Sequence, residues 1–220
     1  MSYLLRFPDF KAKAVTFSYD DGSTNDRRLV KIFNDHSLKA TFNLNSGRIR
    51  TGDEWSVCED ELLDLYRGHE IAVHGVEHLV GTHVPPEIYL NDILEDRKYF
   101  ESLTGKVVNG MAYPCGCYND DVVNMARCCG IKYARTVVST GNFAVSHDRL
   151  RLPATCHHDD PRLFELADKF LPYVARDQVW DGSPYLFYVW GHSHEFANKN
   201  NWDRIEKFAD VICGKPDVWY

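Results

Sequence analysis

The chain has 220 residues, a formal net charge of −7, a pI near 5.8 and 44% hydrophobic residues. These values predict one globular domain, residues 1–220, with a substantial core. The negative charge disfavours nucleic acid and anionic membrane as partners, and no apolar run is long enough to span a membrane. The first residues are too polar for a signal peptide, and seven cysteines without a CxxC pair predict reduced thiols in a cytoplasm. The oligomeric state is not indicated.

Predicted strands and helices alternate along the chain. Strands are predicted at 13–18, 40–44, 70–73, 106–112, 131–138, 150–155 and 184–190. Helices are predicted after Asn25, over 59–67, from Pro86 to a stop at Gly105, after Asn119, over 161–171 and over 201–213, with 48–55 predicted as loop. The strands are nearly continuously apolar, which is typical of parallel strands covered on the outside. A closed (β/α) barrel and an open doubly wound sheet both fit, although no GxGxxG follows the first strand.

Polar residues collect where the predicted strands end. Because the carboxyl ends of parallel barrel strands form one face, we expect these groups to share a site. His74 and His78 are spaced i, i+4, so a helical turn would point both rings at one metal ion. Two histidines and one aspartate, with positions left for water, form a catalytic rather than a structural metal set. By itself, the acid pair Asp20 and Asp21 is more typical of a turn and a helix cap.

Four stretches together resemble the motifs of the polysaccharide deacetylase family (carbohydrate esterase family 4, the NodB-like domain). They are 16–22 (TFSYDDG), 74–78 (HGVEH), 113–116 (YPCG) and 188–192 (YVWGH), within a match over about 12–194. The resemblance implies a distorted (β/α)7-type barrel of parallel strands in a single domain. It also implies metal-dependent hydrolysis of acetyl groups from an N- or O-acetylated oligo- or polysaccharide.

Residue roles follow from the matched positions. The resemblance implies that Asp20 is the general base and His192 the general acid, and that the main-chain N–H of Tyr113 helps to hold the oxyanion. It implies one divalent metal ion, with Zn²⁺ favoured over Co²⁺ or Ni²⁺. The metal ligands would be Asp21, His74 and His78.

Further residues are candidates for contact with the substrate. They are Asn45, Trp55, Pro114, His157, His158 and His194, and Trp180 could also stack on a sugar ring. His194 competes with His192 for the role of general acid, since in extended geometry the two side chains would point to opposite faces. The motif match favours His192.

The chain departs from the family pattern at two places. Ala112 stands where many relatives have an arginine that orients the catalytic aspartate, so the group that holds Asp20 is open. The family's Asp-Trp motif is not recognisable, and TCHHDD at 155–160 takes its place. His157 or His158 could replace an orienting group or contact the metal, or Asp160 could simply cap the next helix.

Two other functions are compatible with the sequence. One is a related metal-dependent amidohydrolase acting on a small C–N substrate, which the lack of a predicted signal peptide favours slightly. The other is a degenerate domain that binds carbohydrate without cleaving it. The second is disfavoured because the base, the three ligands and the acid are all present.

Overall fold

The structure, a computed structural model, describes residues 5–173 and 183–220. Within these ranges the strands are β1 (Lys13–Asp20), β2 (Ala40–Leu44), β3 (Glu70–Val73), β4 (Gly110–Ala112), β5 (Tyr133–Ser139), β6 (Leu152–Ala154), β7 (Cys156–His157), β8 (Tyr185–Gly191) and β9 (Val218–Trp219). The helices are α1 (Asp26–Asp35), α2 (Ser46–Thr51), α3 (Glu59–Leu65), α4 (Pro86–Thr104), α5 (Asp120–Cys128), α6 (Leu163–Phe170), α7 (Ser193–Asn198) and α8 (Trp202–Ile212).

The strands form a nearly closed parallel barrel. Their order is β6-β5-β4-β3-β2-β1-β8-β7, and β9 pairs with β1. β6 and β7 are separated by Thr155 alone, and they pair with β5 and β8 respectively. They therefore act as one interrupted strand that joins the two ends of the sheet. With that pair counted as one position, the predicted (β/α)7-type barrel is confirmed, and an open doubly wound sheet is excluded.

Aromatic side chains fill the space between the barrel and its helices. Phe17 on β1 packs against Phe33 on α1 with ring centroids 4.6 Å apart, and Phe42 packs against Tyr66 at the same distance. All four rings are buried. Burying one such side chain contributes about 1.5–3 kcal/mol. Much of the aromatic content of the sequence is therefore used in the core.

Most predicted elements are confirmed, although the strand predicted at 106–112 forms only over 110–112 and β9 was not predicted. The strands at 40–44 and 70–73 are confirmed without change, whereas the first strand continues to Asp20. The prediction of loop is wrong at 48–51, where α2 forms, and is confirmed at 52–55, which begin with the C-cap Gly52 at a φ of +67°. The short helix α7, directly after β8, was not predicted.

Within the described ranges, no helix combines the length and apolar character that a membrane span requires. All seven cysteines fall inside those ranges, and none of them forms a disulfide. The reduced state of the thiols and the cytoplasmic location stay predictions.

Candidate active site

Three strands deliver the motif residues to one end of the barrel. Asp20 is the last residue of β1, His74 directly follows β3, and His192 directly follows β8. Asp21 has a φ of +77°, which is unfavourable for a residue with a Cβ. Backbone strain of this kind concentrates at functional sites, where the surrounding structure enforces it. The expectation that these strand ends meet at one site is confirmed for Asp20, Asp21, His74 and His192.

Asp21, His74 and His78 form a compact set of potential metal ligands. The Oδ1 atom of Asp21 lies 3.7 Å from Nε2 of His74 and 3.6 Å from Nε2 of His78. This oxygen is buried and has no hydrogen-bond partner among the described residues. An unpaired buried carboxylate oxygen is costly, and a cation between the three atoms would remove that cost. The donor set therefore fits a divalent ion.

The tautomer of His74 supports the same conclusion. Its Nδ1 lies 2.9 Å from the carbonyl oxygen of Ala112, to which it can only donate a hydrogen bond. The neutral ring then carries its lone pair on Nε2, the atom that faces Asp21. Metal-ligating histidines characteristically donate their second ring nitrogen to a carbonyl or carboxylate in this way.

The segment between the two histidines is not the helical turn that their spacing predicted. Gly75 has a φ of +84° and His78 a φ of +54°, so the chain turns sharply and still brings both rings together. Asp96 on α4 holds this loop, because its Oδ2 accepts the main-chain N–H groups of His74 at 3.1 Å and Gly75 at 3.0 Å. Asp92, one turn earlier, accepts the N–H of Glu77 at 2.8 Å.

Asn45 also supports this loop. Its Nδ2 donates to the carbonyl oxygens of His74 at 2.8 Å and Gly75 at 2.9 Å, and its side chain is buried. Asn45 therefore positions the histidine-bearing loop, and the prediction that it contacts substrate is wrong.

Arg135 is the residue that holds Asp20. Its guanidinium pairs with Oδ2 of Asp20, while Nδ2 of Asn43 donates to Oδ1 at 2.9 Å. Both side chains of the ion pair are almost fully buried. Burial alone would raise the pKa of Asp20, but Arg135, with help from His74 and His192, lowers it below its usual range. Asp20 is thus kept ionised.

The sequence position of Arg135 explains why motif matching missed it. Ala112 on β4 and Arg135 on β5 are direct register partners, so the guanidinium comes from the strand beside the one where many relatives carry it. The available signal was an arginine inside an otherwise apolar strand. A charge buried in such a strand requires a partner.

His192 lies between two groups of carboxylates. Its Nε2 is 4.0 Å from Oδ2 of Asp20 and 4.0 Å from Oδ2 of Asp21, and its Nδ1 is 3.5 Å from Oε2 of Glu195. Burial alone would lower the pKa of His192, but Glu195, Asp20 and Asp21 raise it above its usual value. The ring is therefore stabilised in its charged form, with Nε2 facing the site.

His194 is close to His192 because α7 begins between them. Since His192 is the N-cap of α7, the two residues are not in extended geometry, and their ring centroids are 5.3 Å apart. The expectation of opposite faces is therefore wrong. The ring of His194 also lies 5.4 Å from that of Trp55, over which the Arg48 guanidinium stands at 5.1 Å. Trp55 and His194 thus form one partly exposed patch beside His192.

Other predicted substrate contacts are buried. Pro114 and His158 have almost no accessible surface, so neither can touch a substrate directly. The ring of His158 packs against those of Tyr19 and Phe196 at centroid distances of 5.7 and 4.1 Å. His157 is partly exposed. Trp180 lies outside the described residues.

The main-chain N–H of Tyr113 is not available for an oxyanion. It donates to the carbonyl oxygen of Arg135 at 3.1 Å as part of the pairing between β4 and β5. The ring is buried, and its hydroxyl donates to the carbonyl oxygen of Leu150 at 2.9 Å. The structure contradicts the role implied for this residue, because its donor is used by the sheet.

A buried polar network joins the loops that follow β1 and β8. The hydroxyls of Ser23 and Ser193 are 2.9 Å apart. The Tyr66 hydroxyl donates to Oδ2 of Asp26 at 2.6 Å. Burial raises the pKa of Asp26 to about 7, although the hydroxyls of Ser193 and Tyr66 oppose that rise. This network fixes the position of His192 relative to Asp20 and Asp21.

Sequence comparisons identify related proteins. A family model described as polysaccharide deacetylase matches residues 8–134. The Bacillus subtilis (strain 168) protein YxkH, provisionally named as a polysaccharide deacetylase, is 24% identical over 139 residues, which are 62% of this chain and 48% of YxkH. The chain therefore spans about half the length of that relative.

Structural comparisons show the same fold in deacetylases and in a pseudoenzyme. A Mycobacterium smegmatis protein, provisionally named as a polysaccharide deacetylase, aligns with a TM-score of 0.69 and 17% identity over 98% of this chain and 89% of its own. Streptococcus pyogenes deacetylase PplD, solved with acetate, aligns with a TM-score of 0.58 and 20% identity over 62% of this chain and 61% of its own. A CE4-family pseudoenzyme from Bacillus anthracis aligns with a TM-score of 0.58 and 17% identity over 96% of this chain and 64% of its own. At these identities the likeness shows the fold alone.

The first prediction concerns the buried ion pair. We expect Arg135→Met to lower the free energy of unfolding of the metal-free protein by roughly 3–5 kcal/mol, because it leaves Asp20 buried without a countercharge. The Asp20→Asn/Arg135→Met double variant should lose less than Arg135→Met, since both charges are absent. Urea denaturation measures this. Arg162→Met, which removes an exposed pair with Asp160, is the control and should cost no more than about 1 kcal/mol. Equal losses of unfolding free energy in Arg135→Met and Arg162→Met would contradict the assignment of Arg135 as the countercharge of Asp20.

The second prediction concerns Asp26. Because its pKa rises from 3.8 unfolded to about 7 folded, its stabilising contribution is complete below the unfolded value and is lost as pH rises through 7. Between pH ~5 and ~8, wild type should lose about 2–3 kcal/mol more unfolding free energy than Asp26→Asn. Urea denaturation of metal-free protein measures this, with the exposed Asp203→Asn as control. If the unfolding free energy of Asp26→Asn depended on pH as strongly as that of wild type, another group would be responsible for the dependence.

Proposed function

Because this chain belongs to the polysaccharide deacetylase family, we propose that it removes acetyl groups from an N- or O-acetylated saccharide by metal-assisted hydrolysis. One observation carries the proposal. Both oxygens of Asp20 are held by Asn43 and Arg135, whereas Oδ1 of its neighbour Asp21 has no partner among the described residues and faces two imidazole nitrogens. The two carboxylates are therefore suited to different roles.

Asp21, His74 and His78 would hold one divalent ion. Two imidazole nitrogens and one carboxylate are a typical catalytic zinc set, and Co²⁺ or Ni²⁺ are the alternatives. When bound, such an ion supplies a nucleophilic water at neutral pH and polarises the acetyl carbonyl. The burial of His74 and the orphaned oxygen of Asp21 support this assignment.

Asp20 and His192 would move the protons. Asp20 accepts a proton from the attacking water, and its lowered pKa keeps it ionised for that task. His192 gives the Nε2 proton to the departing amine or alkoxide as the bond to the acetyl carbon breaks. Its raised pKa keeps this proton in place before the reaction. Arg135 and Asn43 keep Asp20 aligned.

The oxyanion needs a donor other than Tyr113. Pro114 has no N–H, so the next main-chain donor along this loop is Cys115, which has a φ of +54°. We assign the N–H of Cys115 to this role. Donors aimed at the developing oxyanion commonly contribute the largest single catalytic effect.

The substrate would lie against the patch formed by Trp55 and His194. An indole with partial exposure can stack on the apolar face of a sugar ring. His157 is a further candidate contact at the rim. A small amide substrate and carbohydrate binding without hydrolysis are the alternatives that the following experiment separates.

The third prediction is acetate release. Metal-free protein loaded with Zn²⁺, Co²⁺ or Ni²⁺ should release acetate from chitooligosaccharides or acetylxylan, and EDTA should abolish the activity. Asp203→Asn, which changes only an exposed pair on α8 with Lys207, serves as a folded comparison. Ammonia from a small amide, with no acetate from any saccharide, would favour the amidohydrolase alternative. Saccharide binding without turnover would favour a binding domain.

The fourth prediction separates the two aspartates. Asp20→Asn should reduce turnover by at least about 10²-fold, since it removes the base, while it retains one equivalent of metal. His74→Ala should lose the metal, because one of three protein ligands is gone. Metal content by mass spectrometry after gel filtration measures this, and circular dichroism controls for folding. Equal metal loss in both variants would contradict the division of roles.

A further inference from the structure

A second cluster of titratable residues lies on the far side of His192 from the proposed metal ligands. Oε2 of Glu195, on α7, is 3.1 Å from Nε2 of His157 and 3.1 Å from Nε2 of His158. The same oxygen accepts the main-chain N–H of His192 at 3.3 Å. It also lies 3.5 Å from Nδ1 of the His192 ring. One carboxylate oxygen therefore contacts three histidines.

These contacts fix the side chain of Glu195 beside His192. His158 cannot move away, because its buried ring packs against Tyr19 and Phe196 and a Cβ on Gly191 would stand 2.0 Å from its Nδ1. The Glu195 side chain is only 23% exposed. Its carboxylate is therefore presented to His192 in a fixed position.

The four side chains near Glu195 could be read as a second metal set, but two contacts disfavour this. Nδ1 of His157 accepts the main-chain N–H of Asp159 at 3.2 Å, so the neutral ring carries its proton on Nε2, the atom that a metal would need. The Asp159 carboxylate is paired with Lys199, whose positive charge opposes a second cation. The cluster is better explained as an electrostatic support, in which the Glu195 carboxylate lies among three imidazole rings and accepts the main-chain N–H of His192.

The geometry points to Glu195 as the positioning residue for His192: it holds Nδ1 so that Nε2 faces the reacting groups. This inference rests on the proposed function, in which Nε2 protonates the leaving group. The two ring nitrogens face different partners, since Nε2 lies 4.0 Å from Asp20 and Asp21 while Nδ1 faces Glu195. A carboxylate behind a catalytic imidazole fixes the tautomer and the ring orientation, and it stabilises the charged ring.

The test compares two substrates that differ in their need for a proton. Glu195→Gln should lower kcat for an N-acetylated chitooligosaccharide by roughly 10–100-fold, a part of what general acid catalysis contributes. KM should stay within about twofold, because Glu195 does not touch the substrate. For p-nitrophenyl acetate, whose phenolate leaves without a proton, kcat should change by less than about threefold.

Two further variants separate positioning from a general structural effect. In the His192→Ala background, Glu195→Gln should cause no additional loss, because residues that act as one unit are not additive. Asp159→Asn is the matched control, since Asp159 contacts His158 and Lys199, and no contact joins it to His192 among the described residues. It should change kcat for the saccharide by less than about threefold. Equal losses on both substrates, or additive losses in the double variant, would overturn the inference.

Two measurements do not depend on turnover. The downfield Nδ1 proton of His192 in NMR spectra, assigned by its loss in His192→Ala, should disappear in Glu195→Gln and persist in Asp159→Asn. Wild type and Glu195→Gln should each bind one equivalent of Zn²⁺. A second equivalent in wild type that is lost in Glu195→Gln would overturn the inference in favour of a metal site. If wild type released no acetate, the proposed function would fail, while the proton signal would still decide whether Glu195 holds the ring.

Discussion

The buried ion pair between Asp20 and Arg135 is the interaction on which the site depends. It links the end of β1 to β5 on the other side of β2, β3 and β4, inside a barrel that provides almost no water for either charge. Two charges removed from water are tolerable only when each compensates the other. The pair therefore constrains the barrel to bring β5 toward β1, and it gives Asp20 one orientation.

The orientation of Asp20 leaves the neighbouring Asp21 in a different environment. With both oxygens of Asp20 occupied, the unpaired Oδ1 of Asp21 is left facing His74 and His78. The loop that carries these histidines is held in turn by Asn45 and by Asp96. The placement of the proposed ligands thus depends on two buried supporting groups, Asn45 directly after β2 and Asp96 on α4. A change in any one of these supports should affect the metal set without touching a ligand.

The far side of the site follows the same design. His192 begins α7, and Glu195 in the first turn of that helix returns to contact it. The loop after β7 adds His157 and His158 to the same carboxylate. His157, His158 and Glu195, which lie outside the recognised motifs, therefore support the motif residue His192. The fold thus places an arginine against Asp20, the proposed base, and a carboxylate against His192, the proposed acid.

The amino-acid sequence predicted the alternation of strands and helices and the acids and histidines at the strand ends, and its resemblance to the family motifs implied the barrel. It could do so because apolar periodicity and short motifs are local properties of the chain. The three-dimensional contacts were needed to see that Arg135 pairs with Asp20, that the Tyr113 N–H belongs to the sheet, and that Glu195 lies against His192. These are contacts across strands or through a helical turn that motif matching did not include, and register between strands is fixed by packing of the whole barrel rather than by any one segment.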